Sequence, residues 1–319
     1  FGKTGDALAD LDWFFQNEEK FPFGLRRNAY LALAKAYTTQ GETEKAKAAL
    51  EKSGYTSMDS ESPRFDTDAW ITAKGGYRFS APELIDAATK VYVVRGDDFA
   101  DFAFVETADS IVAIDAGATI ERAGDALNAL RRITTKPLSH LILTHAHWDH
   151  VGGVDAYLKA NPRLEIIAQA HFAEELELVN TAGVRFQYFF GTDQRHSYEA
   201  KPNRLVSKRE SLIVGGTEFV LYPVRGGETH DALLIHMPAS GIVFMGDTMM
   251  PYIGAPFINE GSAEGLQETM ALVRSLKPKL LIHGHTPLTI NWPIESFAGL
   301  EPALDDLHQR TLDSIHNGK

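Results

Sequence analysis

A dense run of ligand-type side chains constrains this chain more than any other feature of its sequence. Residues 144–153 read Thr-His-Ala-His-Trp-Asp-His-Val-Gly-Gly, and they directly follow the apolar run Leu141-Ile142-Leu143, which predicts a strand. Three histidines and one aspartate therefore fall within six residues at the end of that strand. Without a cation, such a cluster would crowd like charges at mildly acid pH, so we reject scattered structural histidines as its explanation. The candidate ligands in this run are His145, His147, Asp149 and His150.

The spacing of these residues predicts two metal ions rather than one. His145 and His147 are two residues apart, so on an extended strand end they point to the same side and can bind one ion. The chain must then turn, which carries Asp149 and His150 to a neighbouring position. The glycines at 152–153 let the backbone come close before the next helix. Imidazole with carboxylate is typical of Zn²⁺, while Mn²⁺ or Fe stays open, so we expect two Zn, Mn or Fe ions per chain.

The pattern H-x-H-x-D-H is that of the metallo-β-lactamase superfamily, and the chain resembles this family over about residues 88–290. Short β-branched strands alternate with helix-like stretches at residues 121–133 and 265–276, which independently indicates an α/β class. The resemblance implies an αββα sandwich with the metals at one edge of its two sheets. The further segments that carry it are Val91–Val94, Ile111–Asp115, Ile242–Asp247 and Leu280–His285.

The resemblance also implies a ligand set. The first ion would be held by His145, His147 and a third residue; the second ion would be held by Asp149, His150 and His285, with Asp247 bridging. Most members present a His in a G-H-T pattern as that third residue, whereas this chain reads Gly227-Glu228-Thr229-His230. Aligning the threonine puts Glu228 in the ligand position. His230 then becomes a proton donor, or an alternative ligand if Glu228 points away.

The glutamate at this position points to one branch of the family. Alkylsulfatases also carry Glu there, and weaker likenesses to them lie at residues 91–96, 151–154 and 307–312. Asp247 departs from that branch, which tends to have a second Glu in its place. The predicted function is a dinuclear metal-dependent hydrolase that uses a metal-bridging hydroxide on a sulfate ester, with Asp149 and His230 as catalytic residues. A lactone or β-lactam hydrolase, or a non-catalytic interaction protein on this fold, are the alternatives.

The composition predicts small molecules as binding partners and counts against nucleic acid and a membrane span. Lysine and arginine number 31 against 43 aspartates and glutamates, and the net charge of −12 opposes binding to nucleic acid. No stretch approaches the roughly 18 apolar residues of a membrane span. There is no cysteine, so neither a disulfide nor a thiolate ligand can contribute. The chain begins with Phe1, which predicts a processed or trimmed N-terminus and leaves export to the periplasm and a cytoplasmic location both open.

The N-terminal part has a different character. Residues 27–53 are rich in Ala, Lys and Glu, and their pattern resembles one tetratricopeptide helical hairpin with Gly41 at the turn. A single repeat cannot bury its own apolar face, so the hairpin would dock on the metal domain, on a protein partner or on a second copy. An ordinary pair of amphipathic helices is the alternative. The predicted organisation is a helical segment at 1–57, a linker at 58–87, the catalytic domain at 88–292 and a helical tail at 293–319.

Two apolar segments are candidates for the substrate pocket. Residues 185–191 form an aromatic run before Arg195, which could line an apolar channel leading to an anion-binding guanidinium. Core packing with a solvated arginine is the alternative. Residues 249–257 follow Asp247 directly and could form a pocket wall, or only cover the edge of a sheet.

Overall fold

The computed structural model describes residues 15–16, 29–30, 33–34, 37, 40–52, 83–95, 100–181, 198–249, 260–285, 290 and 293–318. The chain divides into two compact units, Phe1–Thr67 and Asp68–Lys319. The domain boundaries at 57, 87 and 292 remain predictions. No helix in these described ranges has the length and apolar character needed to cross a membrane.

The first unit contains helix α1 (Thr43–Lys52), which follows a turn at Gly41. Gly41 has a φ of +75°, a left-handed conformation that glycine adopts without strain. Tyr30 and Ala34 before the turn are buried, as is Ala46 after it. Most of residues 1–39 lie outside the described part of the chain, so the tetratricopeptide-like hairpin is not supported and stays a prediction.

The first sheet of the second unit has its strands in chain order. Strands β1 to β4 pair antiparallel, whereas β4 to β7 pair parallel. The strands are β1 (Glu83–Ala88), β2 (Val91–Arg95), β3 (Phe102–Glu106), β4 (Ile111–Ile114), β5 (Leu138–Ile142), β6 (Glu165–Gln169) and β7 (Arg204–Val206).

Helical crossovers connect the parallel strands, as parallel pairing requires. The described helices in these connections are α2 (Ile120–Leu130), α3 (Trp148–Val151), α4 (Val154–Ala160) and α5 (Phe172–Thr181). Helix α2 begins at Thr119, whose hydroxyl accepts a hydrogen bond from the backbone N–H of Arg122. This capping bond satisfies one of the amide groups left free at a helix start.

The second sheet runs in the spatial order β12-β11-β10-β9-β8. All of its neighbours are antiparallel except β11 and β12, which are parallel. Its strands are β8 (Glu210–Val214), β9 (Thr217–Pro223), β10 (Leu233–Met237), β11 (Ile242–Gly246) and β12 (Leu280–His283). Helix α6 (Ala263–Leu276) connects the parallel pair, and a 3₁₀ turn (Ile294–Ser296) leads into α7 (Phe297–His316).

Three groups of apolar side chains define four layers. One group joins the outer face of the first sheet to α2, α4 and α5; Phe104, Leu130 and Tyr157 are among its members. The middle group lies between the two sheets and includes Val112 and Phe244. The third group joins the second sheet to α6 and α7; Val243, Met270 and Phe297 are among its members. The predicted two-sheet α/β architecture is confirmed, and the layers follow the order helix, sheet, sheet, helix.

This architecture brings four strand ends to one region. Strands β4 and β5 are parallel neighbours, so their carboxyl ends lie at the same edge of the first sheet. The same holds for β11 and β12 in the second sheet. Within two residues of each strand end stands a polar side chain, Asp115, Thr144, Asp247 or His285, which creates a polar edge above an apolar core.

Candidate metal centre

The turn after β5 presents the histidine-rich run as the spacing predicts. His147 lies in extended backbone directly before α3, and this short helix contains both Asp149 and His150. A Cβ on Gly152 or Gly153 would overlap the backbone oxygen of Ala118 or Ala116, respectively. The two glycines are therefore needed for a close backbone approach, as the sequence predicts.

Buried side chains from four parts of the chain converge on two clusters. Within each cluster, one candidate ligand atom from every member lies within 4.8 Å of the others. Asp247 belongs to both clusters. The first cluster is His145, His147, Glu228 and Asp247, and the second cluster is Asp149, His150, Asp247 and His285.

Glu228 completes the first cluster with both of its carboxylate oxygens. Its Oε2 lies 3.6 Å from His145 Nε2, and its Oε1 lies 3.3 Å from His147 Nδ1. The Oδ2 atom of Asp247 approaches the same His145 nitrogen at 3.9 Å. The first cluster therefore offers two imidazoles and two carboxylates.

The second cluster has the same composition. Asp247 Oδ2 lies 2.7 Å from His285 Nε2 and 3.3 Å from His150 Nε2. Asp149 Oδ2 approaches these two nitrogens at 3.5 Å and 3.6 Å. A single oxygen of Asp247 thus faces both clusters.

Burial and close mutual contact shift the pKa values of the ionisable side chains in the two clusters. Burial and the neighbouring carboxylate of Asp247 raise the pKa of Glu228 to about 7. For His145, burial and the neighbouring imidazoles of His150 and His147 lower the pKa well below its usual value. Burial opposes ionisation of Asp247, but His285 and His150 hold its pKa well below the usual value. Burial opposes charging of His147, His150 and His285, but neighbouring carboxylates raise the pKa of the first two well above the usual value and that of His285 to about 9. A bound cation would displace these protons, because histidine binds metal ions in its neutral form.

Several of the candidate ligand atoms lack hydrogen-bond partners among the described residues. Buried polar atoms in proteins nearly always have a partner, so each exception requires an explanation. Nitrogen and oxygen donors grouped in this way fit divalent cations such as Zn²⁺. The atoms are His145 Nε2, Asp149 Oδ2, His150 Nε2, Glu228 Oε2 and Asp247 Oδ1.

Asp115, at the end of β4, orients two of the histidines. Its carboxylate accepts hydrogen bonds from the backbone N–H and the hydroxyl of Thr144, each at 2.7 Å, and lies 2.8 Å from His150 Nδ1. The Thr144 hydroxyl oxygen in turn lies 3.0 Å from His145 Nδ1. With both Nδ1 atoms engaged, the Nε2 atoms of His145 and His150 face the carboxylates of the clusters.

The loop that carries Glu228 leaves His230 outside both clusters. Gly226 N–H donates to the Thr229 oxygen at 3.0 Å, and Gln169 Nε2 donates to the His230 oxygen at 2.9 Å. Glu228 is buried, whereas His230 is exposed and belongs to neither cluster. The structure therefore brings Glu228 to the first cluster and places His230 beside it at the surface.

Sequence reasoning missed three acidic residues around this loop. Asp231 is fully buried, and burial raises its pKa to about 7. Glu175 is buried on α5, and burial raises its pKa as well. Glu260 lies 3.5 Å from His147 Nε2. Asp231 lies three residues after Glu228 in the same segment and could have been singled out there, whereas nothing in the sequence around Glu175 or Glu260 indicates a role.

Most of the predicted pocket segments fall outside the described residues. This applies to residues 185–191, to Arg195 and to residues 250–257, so their predicted roles are not tested. Met249, the first residue of the second segment, is described and fully buried in the third apolar group.

Comparison with known proteins gives a family match and several relatives. The sequence profile of the metallo-beta-lactamase superfamily matches residues 95–285, more than half of the chain. The alkyl/aryl-sulfatase BDS1 of Saccharomyces cerevisiae is 28% identical over 193 residues, which are 51% of this chain and 30% of that protein. The hydroxyacylglutathione hydrolase of Pseudomonas savastanoi pv. phaseolicola is 27% identical over 196 residues, which are 60% of this chain and 65% of that protein. The chain thus spans less than two thirds of either relative.

A solved structure is similar in fold. The stereoselective inverting sec-alkylsulfatase Pisa1 from Pseudomonas sp. has a TM-score of 0.60 with 21% sequence identity, over 75% of this chain and 44% of that chain. At this identity, the likeness shows the fold alone.

Proposed function

The chain belongs to the metallo-beta-lactamase superfamily, and from this membership we propose that it is a metal-dependent hydrolase of a sulfate ester. The observation that carries the choice of substrate is the position of Glu228. Its carboxylate lies 3.3 Å from His147 Nδ1 and 3.6 Å from His145 Nε2, where most of the family would present a third histidine. The alkylsulfatase branch resembles this chain at that position, and an alkyl/aryl-sulfatase is among its relatives.

A thioester substrate is the second candidate, because one residue departs from the alkylsulfatase pattern and one relative hydrolyses an acylglutathione. Asp247 stands where the alkylsulfatase branch tends to have a glutamate, and a hydroxyacylglutathione hydrolase is among the relatives. Lactones and β-lactams remain further alternatives, since one metal centre of this kind can attack several classes of electrophile.

We assign the candidate ligands to two ions, with Zn²⁺ as the first choice. His145, His147 and Glu228 would hold one ion, Asp149, His150 and His285 the other, and Asp247 would contact both. When bound, two such cations lower the pKa of water towards neutrality and stabilise the negative charge that develops on the ester oxygens.

Side chains of the protein prepare the remaining steps. The clusters are buried, so few bulk waters compete with the substrate and electrostatic interactions are strengthened. Asp149 would use one carboxylate oxygen as a ligand, and we assign the proton of the attacking water to its other oxygen. We assign protonation of the leaving alcohol to His230, which is exposed two residues from Glu228 on a loop anchored by Gln169.

A substrate panel tests the proposal. The metal-loaded protein would be assayed with alkyl sulfates of increasing chain length, an aryl sulfate, an acylglutathione thioester, a lactone and a chromogenic β-lactam. We expect sulfate release that disappears in His145→Ala together with the bound metal. His316→Ala is the matched control, because His316 is exposed near the end of α7.

The outcomes separate the candidates. Thioester turnover without sulfate release would show that Asp247, and not Glu228, indicates the substrate class. If the protein with all its ligands intact bound no metal, the hydrolase proposal would fail in favour of a non-catalytic interaction protein on this fold.

A further inference from the structure

Three of the candidate histidine ligands differ in which ring nitrogen faces the clusters. His145 and His150 both turn Nδ1 towards an outer partner, Thr144 Oγ1 at 3.0 Å and Asp115 Oδ2 at 2.8 Å. Their Nε2 atoms are left to the clusters. A histidine that binds a metal ion usually donates its other N–H to such an outer partner, which fixes the tautomer and the ring orientation.

His147 has the opposite orientation. Its Nδ1 lies 3.3 Å from Glu228 Oε1, within the first cluster, and its Nε2 lies 3.5 Å from Glu260 Oε2. Glu260 therefore faces the ring nitrogen of His147 that points out of the cluster, just as Asp115 faces the outer ring nitrogen of His150. Its side chain is 29% exposed, compared with 4% for Glu228, so it lies at the outer side of the ring.

The backbone around Glu260 is fixed to the loop that carries Glu228. The N–H groups of Glu260 and Gly261 both donate to the Glu228 oxygen, at 2.7 Å and 3.0 Å. Ser262 N–H donates to the Gly226 oxygen at 3.1 Å, and its side chain caps the start of α6. A Cβ on Gly261 would overlap the Gly226 oxygen, so the two segments are in close contact.

These contacts connect one residue to two candidate ligands. The carboxylate of Glu260 faces the ring of His147, while its backbone N–H holds the backbone of Glu228. In the described part of the chain, neither cluster includes Glu260. Its position therefore fits an orienting role and not that of a ligand.

We propose that Glu260 is a positioning residue for the first metal: it accepts the Nε2–H of His147 and thereby keeps Nδ1 directed at the ion. The inference rests on the metal centre of the proposed function and not on the identity of the substrate. It predicts a selective effect, because His147 belongs to the first cluster and not to the second.

The test is a metal titration of Glu260→Ala and Glu260→Gln. Metal-depleted protein would be titrated with Zn²⁺ in competition with a chromophoric chelator. In Glu260→Ala we expect one of the two ions to bind about 10- to 100-fold more weakly, the usual cost of losing an outer partner, while the other ion is unaffected. Glu260→Gln should recover much of the loss, since its amide oxygen can still accept the Nε2–H. The matched control is Glu264→Ala, an exposed glutamate on the first turn of α6.

A second measurement reports on the ring directly. In the zinc-loaded parent, NMR should show His147 protonated at Nε2, with a proton that exchanges slowly; in Glu260→Ala that proton should exchange faster. If Glu260→Ala bound each of the two ions as tightly as the parent does, the inference would be overturned and the proposed function would stand. A parent that binds no metal would overturn the proposed function, and the inference with it. A loss of affinity as large in Glu264→Ala as in Glu260→Ala would also overturn the inference, because the effect would not depend on His147.

Discussion

At the scale of single residues, burial distinguishes two neighbouring candidates for the third ligand of the first metal. Glu228 is 3% exposed within the first cluster, whereas His230 is exposed two residues later. The loop is fixed from both sides, by the Gly226 to Thr229 hydrogen bond and by Gln169 on the His230 oxygen. An exchange of the two side chains would therefore require these hydrogen bonds to break.

We accordingly predict opposite effects of substitution at the two positions. Glu228→Gln should weaken the binding of one ion by at least about tenfold, since loss of even an outer partner costs that much. His230→Ala should keep both ions and lower kcat by about 10²- to 10⁴-fold, the usual contribution of a general acid. Elemental analysis and steady-state kinetics on the same samples give both quantities. Metal loss in His230→Ala with retention in Glu228→Gln would contradict the assignment and return the site to the usual histidine pattern.

Asp115 leads to a second prediction at this scale. It is a buried residue with a φ of 60°, and its carboxylate accepts two hydrogen bonds from Thr144 and contacts His150. Asparagine tolerates this backbone conformation, so Asp115→Asn tests the carboxylate without adding strain. We expect a loss of about 1.5–3 kcal/mol in the free energy of unfolding, since the bonds it weakens involve a charged acceptor. Urea unfolding of the metal-free proteins measures this, with Asp125→Asn on the exposed face of α2 as control; equal losses in both would contradict the role of Asp115.

At the scale of elements, the sequence predicts the strands that carry the site better than the contacts between them. The apolar runs that form β4, β5, β11 and β12 each end at a polar residue, so the strand ends and their candidate ligands can be recognised together. The helices predicted at 121–133 and 265–276 are also confirmed, as α2 and α6. The resemblance supplied the order of these segments, which periodicity alone does not give.

Contacts made by loops could not be predicted in this way. Glu260 reaches His147 only because three backbone hydrogen bonds join its segment to the Glu228 loop, and these bonds depend on no particular side chain. Glu175 reaches the same region from α5, where its position looks like any other on a helix. Long-range backbone contacts leave little trace in a single sequence, so the outer partners of the ligands emerge only from the structure.

The parallel pair β11 and β12 provides a prediction at the element scale. Gly284 follows β12, and a Cβ at this position would overlap Asp247 Oδ1 and lie 3.0 Å from His150 Cε1. Gly284→Ala should therefore displace Asp247, and because Asp247 belongs to both clusters, both ions should bind more weakly. Gly124→Ala on α2 is the matched control: a Cβ there meets nothing within 4 Å, so we expect about 0.5–1 kcal/mol of added stability. Metal titration and thermal unfolding of both variants test this prediction. Unchanged metal affinities in Gly284→Ala would show that the position of Asp247 after β11 does not depend on the close approach of Gly284 after β12.

At the scale of the whole molecule, the clusters concentrate buried charge in a protein that already carries a net charge of −12. Four carboxylates, those of Asp149, Glu228, Asp247 and Asp115, are buried at one edge of the two sheets. Burial of unpaired charge is costly, so bound cations should contribute directly to folding stability. For each ion, a free concentration 100 times Kd corresponds to about 2.7 kcal/mol.

The last prediction combines metal removal with pH. In the metal-free protein, burial and Asp247 raise the pKa of Glu228 from 4.5 to about 7. The folded state then retains a proton that the unfolded state releases, so this contribution to stability is complete below pH 4.5 and is lost as the pH rises through about 7. Glu228→Gln cannot titrate; in a chelating buffer it should therefore become more stable relative to the parent between pH 4.5 and 7. With metal bound, the carboxylate of Glu228 stays charged, and the parent should be more stable than Glu228→Gln at neutral pH. Thermal unfolding of both proteins across this pH range, with and without metal, measures the effect. If the difference in stability between the parent and Glu228→Gln did not change with pH in the chelating buffer, Glu228 would not be the buried group whose charge the metal compensates.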